Sequence, residues 1–323
     1  MKILITGVHG FVGSNLVESL KKEHIIYGLD IISPIKDGVR FTFSWDYLDK
    51  PGEIPEVDAI IHLAGKAHDT KKQAAAETYF KINRDLTIKI FDYFCAHPKC
   101  KKFVFFSTAK AAADKVDGVL TEDVVPAPVG PYGESKIAAE KYIQETLETW
   151  NLNHETKTKD VYVFRPCMIH GPGNKGNLNL LYNMVRKGIP WPLGAFENRR
   201  TFTSVENICF AVNGVLTKDV PSGIYNMGDD EALSTNELIE EICKSLGKRA
   251  HIWRLPKGLM NGVAKVGGWL HLPLNPERLQ KLTENYVSSN SKIKKALGVE
   301  KMPVDARGGL RVTLESFKYL NAI

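Results

Sequence analysis

Long apolar runs are missing from this chain. Its purest stretches, such as Phe103 to Phe106, span a handful of residues, far short of the ~20 that a membrane-crossing helix needs. Cysteine is scarce. The five present (95, 100, 167, 209 and 243) form no CxxC pair and no Cys/His zinc spacing, so no disulfide framework and no metal site is expected, and the thiols are read as reduced and mostly buried. Internal repeats and low-complexity tracts are absent as well, which argues against a solenoid or a fibrous chain. The formal charge of +6 is scattered over single lysines and short pairs such as Lys101-Lys102 and Arg199-Arg200. That pattern reads as solvated surface, with neither nucleic acid nor a membrane as the expected partner. The opening residues, MKILITGVHGFVGSNL, are broken by glycines and His9. They lack the apolar core of a secretion signal and are read as mature structure, with a cytoplasmic location as the expectation.

What is present is an ordinary globular composition, 43% hydrophobic and 25% charged over 323 residues, with room for two domains or one large one. KILIT (2–6), IIYGLD (25–30), DAIIHLA (58–64), KFVFFST (102–108) and VYVFRP (161–166) are short apolar runs, with RFTFSW (40–45) as a further strand. Amphipathic stretches at 11–23, about 73–96 and 132–150 separate several of them. Near-continuous apolar strands alternating with helices predict a doubly wound parallel sheet of Rossmann type, helices on both faces. After Pro166 the texture changes to Gly-, Pro- and Asn-rich loops at 170–177 and 188–200. A helix at about 205–217 and a strand at 223–228 return to the main sheet, and Ser234 with Glu237 forms the capping box of a helix that Gly247 ends. The expected division is 1–166 plus about 201–228 for the nucleotide domain. A smaller, partly interleaved α/β substrate domain takes 167–200 plus about 229–323.

Two local patterns carry chemistry. The first is a glycine turn, Thr6-Gly7-Val8-His9-Gly10-Phe11-Val12-Gly13, between the first strand and the first helix. Gly7 permits the turn, Gly10 lets backbone approach a pyrophosphate, and Gly13 lets the helix pack on the strand; the helix N-terminus then turns its free N–H groups to the phosphates. Asp30, ending the second strand, can hydrogen-bond the adenosine ribose hydroxyls and repel a 2′-phosphate, which favours NAD over NADP. The second is Tyr132 and Lys136, at i and i+4 on one helix face. A neighbouring ammonium is expected to lower the phenol's pKa so that Tyr132 can act as a base. Thr108, at the end of a strand, can hydrogen-bond both the substrate oxygen and Tyr132. His9, His62 and His170 lie near these loops without a plausible second ligand and are read as structural. Trp191 and Phe196 either stack on a nucleotide base or anchor their loop, and the sequence leaves both open.

TGVHGFVGSNL, HLAG (62–65), Asn83 in YFKINRD, STAKA (107–111), YGESK and FRPCMIHGPG (164–173) together resemble the extended short-chain dehydrogenase/reductases. Within them the chain is similar to the NAD-dependent epimerase/dehydratase group acting on nucleotide sugars, of the UDP-glucose 4-epimerase kind. The likeness runs from residue 2 to at least 210 and resumes weakly at 288–298. It implies that Gly7, Gly10, Phe11, Val12 and Gly13 hold the NAD pyrophosphate, and Asp30 the ribose. It puts Asp46 and Tyr47 near the adenine and Leu63, Ala64 and Gly65 on the nicotinamide side, with Asn83 as a further cofactor contact. Thr108, Tyr132 and Lys136 would be the catalytic triad, with Tyr132 and Lys136 also touching the cofactor. Asn177 and Arg200 match positions that contact a nucleotide-sugar diphosphate, with Lys66, Lys110 and Arg278 as further substrate contacts.

Two departures narrow the activity. The 4,6-dehydratases carry Asp-Glu after the catalytic Thr, where this chain has Ala109 and Lys110. Galactose-type epimerases often carry Asn in the segment that here contains Met168. The remaining motifs are closest to a branch associated with bacterial surface-polysaccharide sugars, in which C4 epimerases and 4-ketoreductases both occur. The expected function is therefore NAD-dependent C4 epimerisation of a UDP-linked sugar by a homodimer that pairs through the helices at 73–96 and 132–150. The alternatives are an NAD(P)H-dependent 4-keto-6-deoxysugar reductase and a non-catalytic dinucleotide sensor.

Overall fold

The apolar runs become the strands of one parallel sheet. The computed structural model describes residues 1–66, 75–154, 159–174, 176–270 and 274–320. Among these the strands are β1 (Lys2–Thr6), β2 (Ile25–Leu29), β3 (Val39–Phe43), β4 (Ala59–His62), β5 (Lys102–Phe106), β6 (Val119–Leu120), β7 (Asp160–Pro166), β8 (Met168–His170), β9 (Phe202–Ser204), β10 (Gly223–Met227) and β11 (Val287–Ser288). The helices are α1 (Phe11–Leu20), α2 (Ala76–Phe80), α3 (Leu86–Ala96), α4 (Ala109–Ala112), α5 (Pro131–Asn153), α6 (Asn177–Arg186), α7 (Val205–Thr217), α8 (Thr235–Ser245), α9 (Lys257–Trp269), α10 (Pro276–Thr283), α11 (Ser291–Leu297) and α12 (Ala306–Leu320).

Seven strands pair in the order β10-β7-β5-β4-β1-β2-β3, every pairing parallel. Side chains alternate across β1. Ile3 and Ile5 join a core with Leu16 and Val17 of α1 and Ile208 and Val212 of α7. Leu4, between them, joins the opposite core with Phe91 of α3 and Ala139 of α5. Burial on both faces is why these strands read as continuous apolar runs. From β1 the chain moves outward to β2 and β3, then returns on the other side at β4. That reversal opens a crevice at the carboxyl ends of β1 and β4, where doubly wound sheets bind their ligands.

Three elements differ from the sequence expectation. The run at 40–45 gives a strand only to Phe43, and Trp45–Asp49 curl into a 3₁₀ turn. The helix expected from 73 has its first two positions outside the described residues, and it is not continuous. A π-helical turn at Lys81–Asp85 separates α2 from α3, and such turns recur at functional sites. The loops at 170–177 and 188–200 flank a short parallel pair, β8 with β9; three-residue strands lie below what periodicity can resolve.

A second core gathers Leu178, Tyr182, Trp191, Leu193, Leu238, Ile242, Met260, Leu310 and Phe317. Trp191 is buried in it, and its indole N–H donates to Asn236 Oδ1 at 3.0 Å. The ring therefore anchors the 188–200 loop, and Phe196 packs on the same core. The capping box of α8 is formed as the sequence expects, with Ser234 and Glu237 bonding reciprocally at 3.1 and 2.8 Å. One segment departs from the expected division. Ile293 and Leu297 of α11 pack into the first core, and β11 pairs with β6.

Candidate active site

The glycine turn follows β1 at the crevice. Gly7 has φ +67°, a left-handed conformation that only glycine takes without strain. A Cβ on Gly13 would lie 2.4 Å from the Gly7 carbonyl oxygen, so helix α1 approaches the turn as closely as backbone permits. Gly10 is the N-cap of α1 and makes no side-chain cap bond, so no side chain claims the first N–H groups of this ten-residue helix. Phe11 leans toward the 171–173 loop, and Asn15 donates to Pro172 O at 3.0 Å. The glycine turn is thereby tied to the segment leading into α6.

Asp30 stands at the rim of the same turn. One carboxylate oxygen accepts the His9 N–H at 3.0 Å, and the other accepts the Ile31 N–H at 2.8 Å. Its own N–H donates to Phe43 O at 3.0 Å, which brings the end of β3 and the Trp45–Asp49 turn alongside. There Tyr47 packs on Phe43, while Asp46 pairs with Lys50 at 2.6 Å. The Lys50 ammonium and a bond from Ser44 hold the Asp46 carboxyl down at about 2. Lys36, the first cation after Asp30, reaches back to Ser14 Oγ at 2.8 Å.

The turn after β4 is fixed by a buried relay. Thr6 Oγ1 accepts the Leu63 and Ala64 N–H groups at 3.1 and 3.0 Å and meets His62 Nδ1 at 2.7 Å. His62 Nε2 meets Thr87 Oγ1 at 2.8 Å, and Thr87 donates to Asn83 O at 2.7 Å. With Thr87 donating onward, His62 carries its proton on Nε2 and accepts from Thr6. Complete burial, helped by the nearby Lys136, holds its pKa well below the ordinary value. His62 is thus a neutral structural residue. His170, between Thr313 at 2.9 Å and Asp229 at 3.5 Å, is also held by protein groups. Asn83 sits in the π-helical turn, fully buried. Its amide accepts the Lys66 N–H at 2.7 Å and donates to Lys66 O and Ser135 Oγ at 3.1 and 3.0 Å. As placed, it clamps the 63–66 segment over helix α5. A Cβ on Gly65 would lie 3.1 Å from Lys136 Nζ.

Thr108, Tyr132 and Lys136 converge beneath that segment. Thr108 caps α4, and Tyr132 opens α5 next to Pro131 at its first position. The two helices touch at Gly133, where a Cβ would lie 2.6 Å from Lys110 O. That approach lets the Thr108 hydroxyl bond Tyr132, and the sequence reading had not singled Gly133 out. Tyr79 meets the Tyr132 ring edge-on at 6.4 Å between centroids, and the Lys66 ammonium lies 5.8 Å from the Tyr79 ring. Lys136 is buried and donates to Phe106 O at 2.8 Å. The expected pKa balance is reversed in this state. Burial pushes the Tyr132 phenol up, with the Thr108 bond opposing it. Burial also pushes the Lys136 ammonium down to about 8, while the Glu140 charge supports the cation.

Glu140, one turn beyond Lys136, is a residue that the sequence reading missed. It is fully buried in a salt bridge to Arg165 of β7 at 2.5 Å, with further bonds from Arg165 Nε at 3.1 Å and one from Ser107 Oγ. Ser107 directly precedes Thr108, so this ion pair joins the backbone beside Thr108 to the helix that carries Tyr132 and Lys136.

The other expected substrate residues are held as follows. Lys110 pairs with Asp114 at 2.7 Å. Asn177 is the exposed first residue of α6. Arg200 donates to Lys281 O at 2.6 Å, and burial pushes its guanidinium below the ordinary value. Arg278 is exposed on α10, a helix capped by Asn275.

The model of the NAD dependent epimerase/dehydratase family matches residues 3–228. The chain belongs to this family. A UDP-glucose 4-epimerase of Vibrio cholerae is 30% identical over 271 residues, covering 79% of this chain and 78% of that protein. An N-acetyl-alpha-D-glucosaminyl-diphospho-ditrans,octacis-undecaprenol 4-epimerase of Escherichia coli O157:H7 is 26% identical over 303 residues, covering 91% and 84%. The fold matches the structure of a Bacillus cereus UDP-glucuronic acid 4-epimerase in complex with UDP-glucuronic acid and NAD, with a TM-score of 0.73, 21% identity and coverage of 99% and 100%. Within an NAD dependent epimerase/dehydratase, the crevice fits a dinucleotide. Its helix N-terminus lacks a side-chain cap, its turn is glycine-lined, and a carboxylate stands where the second strand ends.

Proposed function

We propose that this enzyme is an NAD-dependent C4 epimerase of a nucleoside diphosphate sugar, UDP-linked. One observation carries the reading. The complete Thr108, Tyr132 and Lys136 set meets at the crevice, while Ala109 and Lys110 stand where a dehydratase needs its acid and base.

NAD, when bound, supplies the two-electron oxidant that takes the C4 hydride and gives it back. Gly7, Gly10, Phe11, Val12 and Gly13 would hold its pyrophosphate and Asp30 its ribose, with Asp46 and Tyr47 toward the adenine and Leu63, Ala64 and Gly65 at the nicotinamide end. Tyr132 Oη accepts the proton of the sugar 4-hydroxyl as that hydroxyl becomes a carbonyl. Thr108 fixes the oxygen's position by bonding both partners. The Lys136 cation, supported by Glu140, stabilises the phenolate whose formation burial opposes. Tyr132 returns the proton when the 4-keto sugar has turned its other face. Arg200, Asn177, Arg278, Lys66 and Lys110 are proposed to hold the diphosphate and sugar. The working unit is proposed to be a cytoplasmic homodimer paired through α2, α3 and α5.

Denaturing the purified protein and identifying the released nicotinamide tests this reading. Release of NAD, with turnover of a UDP-sugar in the absence of added cofactor, is expected. A cofactor-free protein that consumes NADPH on a 4-keto sugar would establish the reductase instead.

Cofactor choice gives a sharper check. Asp30 opposes a 2′-phosphate, since two like charges ~4 Å apart cost about 4 kcal/mol at an effective dielectric of 20, before screening. NAD(H) is expected to bind at least ~tenfold more tightly than NADP(H), which takes only about a third of that cost. In Asp30→Ala the gap should close or reverse, because Lys36 already sits beside α1 at Ser14. Calorimetric titration of the cofactor-free protein decides it, and equal affinities in the unsubstituted protein would remove Asp30 from this role.

A further inference from the structure

Helix α9 of the second core is amphipathic in an unexpected sense. Met260 and Ala264 are buried and face that core, yet Leu259 (55% exposed), Val263 (46%), Val266 (54%) and Leu270 (52%) stand in the open. Their spacing of four, three and four residues puts them in one stripe along the helix. Trp269, 80% exposed, ends the stripe, and Trp253 on the preceding strap is 53% exposed. The charged residues of this stretch are all cations. Lys248, Arg249, Arg254, Lys257 and Lys265 are all exposed, and no aspartate or glutamate occurs between Gly247 and Leu270. The cations look scattered in the sequence because an extended reading spaces them over two turns, a strap and a helix. In the fold all five stay exposed on the strap and helix that carry the stripe.

We propose that α9 and the strap before it dock this protein on a membrane surface that carries anionic lipids. Two occupants compete for such a face, and charge separates them. A second copy pairing symmetrically would bring this acid-free cationic stretch against itself, with Glu277 of the adjoining α10 already paired with Lys281 at 2.8 Å. A bilayer interface offers negative headgroups to the cations and acyl chains to the stripe. Tryptophan beside lysine and arginine is the composition that settles at that depth. A helix of 13 residues lies in the interface and does not span it. This departs from the sequence expectation of no membrane partner, which rested on the linear scatter of charge. The strap also bears on the substrate side. Trp191 and Leu193 bridge to Ile252 and Arg254, so the surface facing the lipid is braced to the loop that ends at Arg200.

Cosedimentation of the full-length protein with vesicles tests the proposal without using turnover. It therefore stands or falls separately from the epimerase reading. The protein should partition onto phosphatidylglycerol/phosphatidylcholine vesicles at least ~tenfold better than onto phosphatidylcholine alone, and high salt should release it. Val266→Asp, and separately Lys257→Glu with Lys265→Glu, should each lower that partitioning by about tenfold or more. Circular dichroism and the thermal midpoint should stay unchanged, since all three positions are exposed. Equal binding to both vesicle types overturns the proposal, as does undiminished binding by either variant. A fall in solution mass on Val266→Asp, without vesicle binding by the parent protein, also overturns it and makes the stripe an interface between copies.

Discussion

Replacing Tyr132 by phenylalanine is expected to leave the fold and dinucleotide binding intact and to lower turnover by ~10²–10⁴-fold, the usual contribution of a positioned proton-transfer group. Only the phenolic oxygen is removed. The ring's edge-on packing against Tyr79 and the start of α5 at Pro131 do not depend on it. What disappears is the hydroxyl that Thr108 holds and that is proposed to exchange a proton with the sugar oxygen. Steady-state rates on a UDP-sugar, together with calorimetric NAD affinity, check both halves. A variant that keeps more than half the parental rate would show that another group moves the proton.

Arg165→Met should be the most damaging substitution to stability. Arg165 and Glu140 have side chains only 2% and 1% exposed. Removing the guanidinium strands a carboxylate beneath the active site with Ser107 as a remaining donor. Breaking a buried pair from one side typically costs about 3–5 kcal/mol, whereas replacing both partners by apolar groups is often close to neutral. Unfolding in urea should therefore show a large loss for Arg165→Met and substantial recovery in Arg165→Met with Glu140→Leu. A loss below about 1 kcal/mol for the single variant would mean that water reaches Glu140. The pH profile moves too. Glu140 favours the protonated form of Lys136. Less compensated by Arg165, it should carry the lysine's titration above about 8, and Glu140→Gln should carry it below.

The readable part of the site was its local part. Gly7, Gly10, Gly13 and Asp30 lie within one βαβ stretch, and Tyr132 and Lys136 lie one helical turn apart, so sequence spacing fixes their geometry. Glu140 also left a trace, falling one turn after Lys136 on the same face, and Arg165 is a charge inside an apolar strand. Neither signal names its partner, because β7 and α5 meet only once the sheet is assembled. The clamp made by Asn83 depends on a change of helical period, which no apolar pattern announces. Gly133 matters through a contact with Lys110 O, a distance between two elements rather than a property of either. The same limit hid the stripe on α9, whose residues alternate like those of any core helix until the neighbouring helices show which face is covered.

The order in which the sheet is completed has a consequence for synthesis. Strand β7 ends at Pro166, but its outer neighbour β10 begins only at Gly223. While the ribosome makes the residues between them, the outer backbone edge of β7 waits without its partner strand, and an open edge invites pairing with another chain. The nascent protein is thus most prone to aggregate after its nucleotide-binding motifs have emerged and before the closing strand arrives. A stall or truncation in that interval yields a more hazardous product than one a few residues beyond Met227.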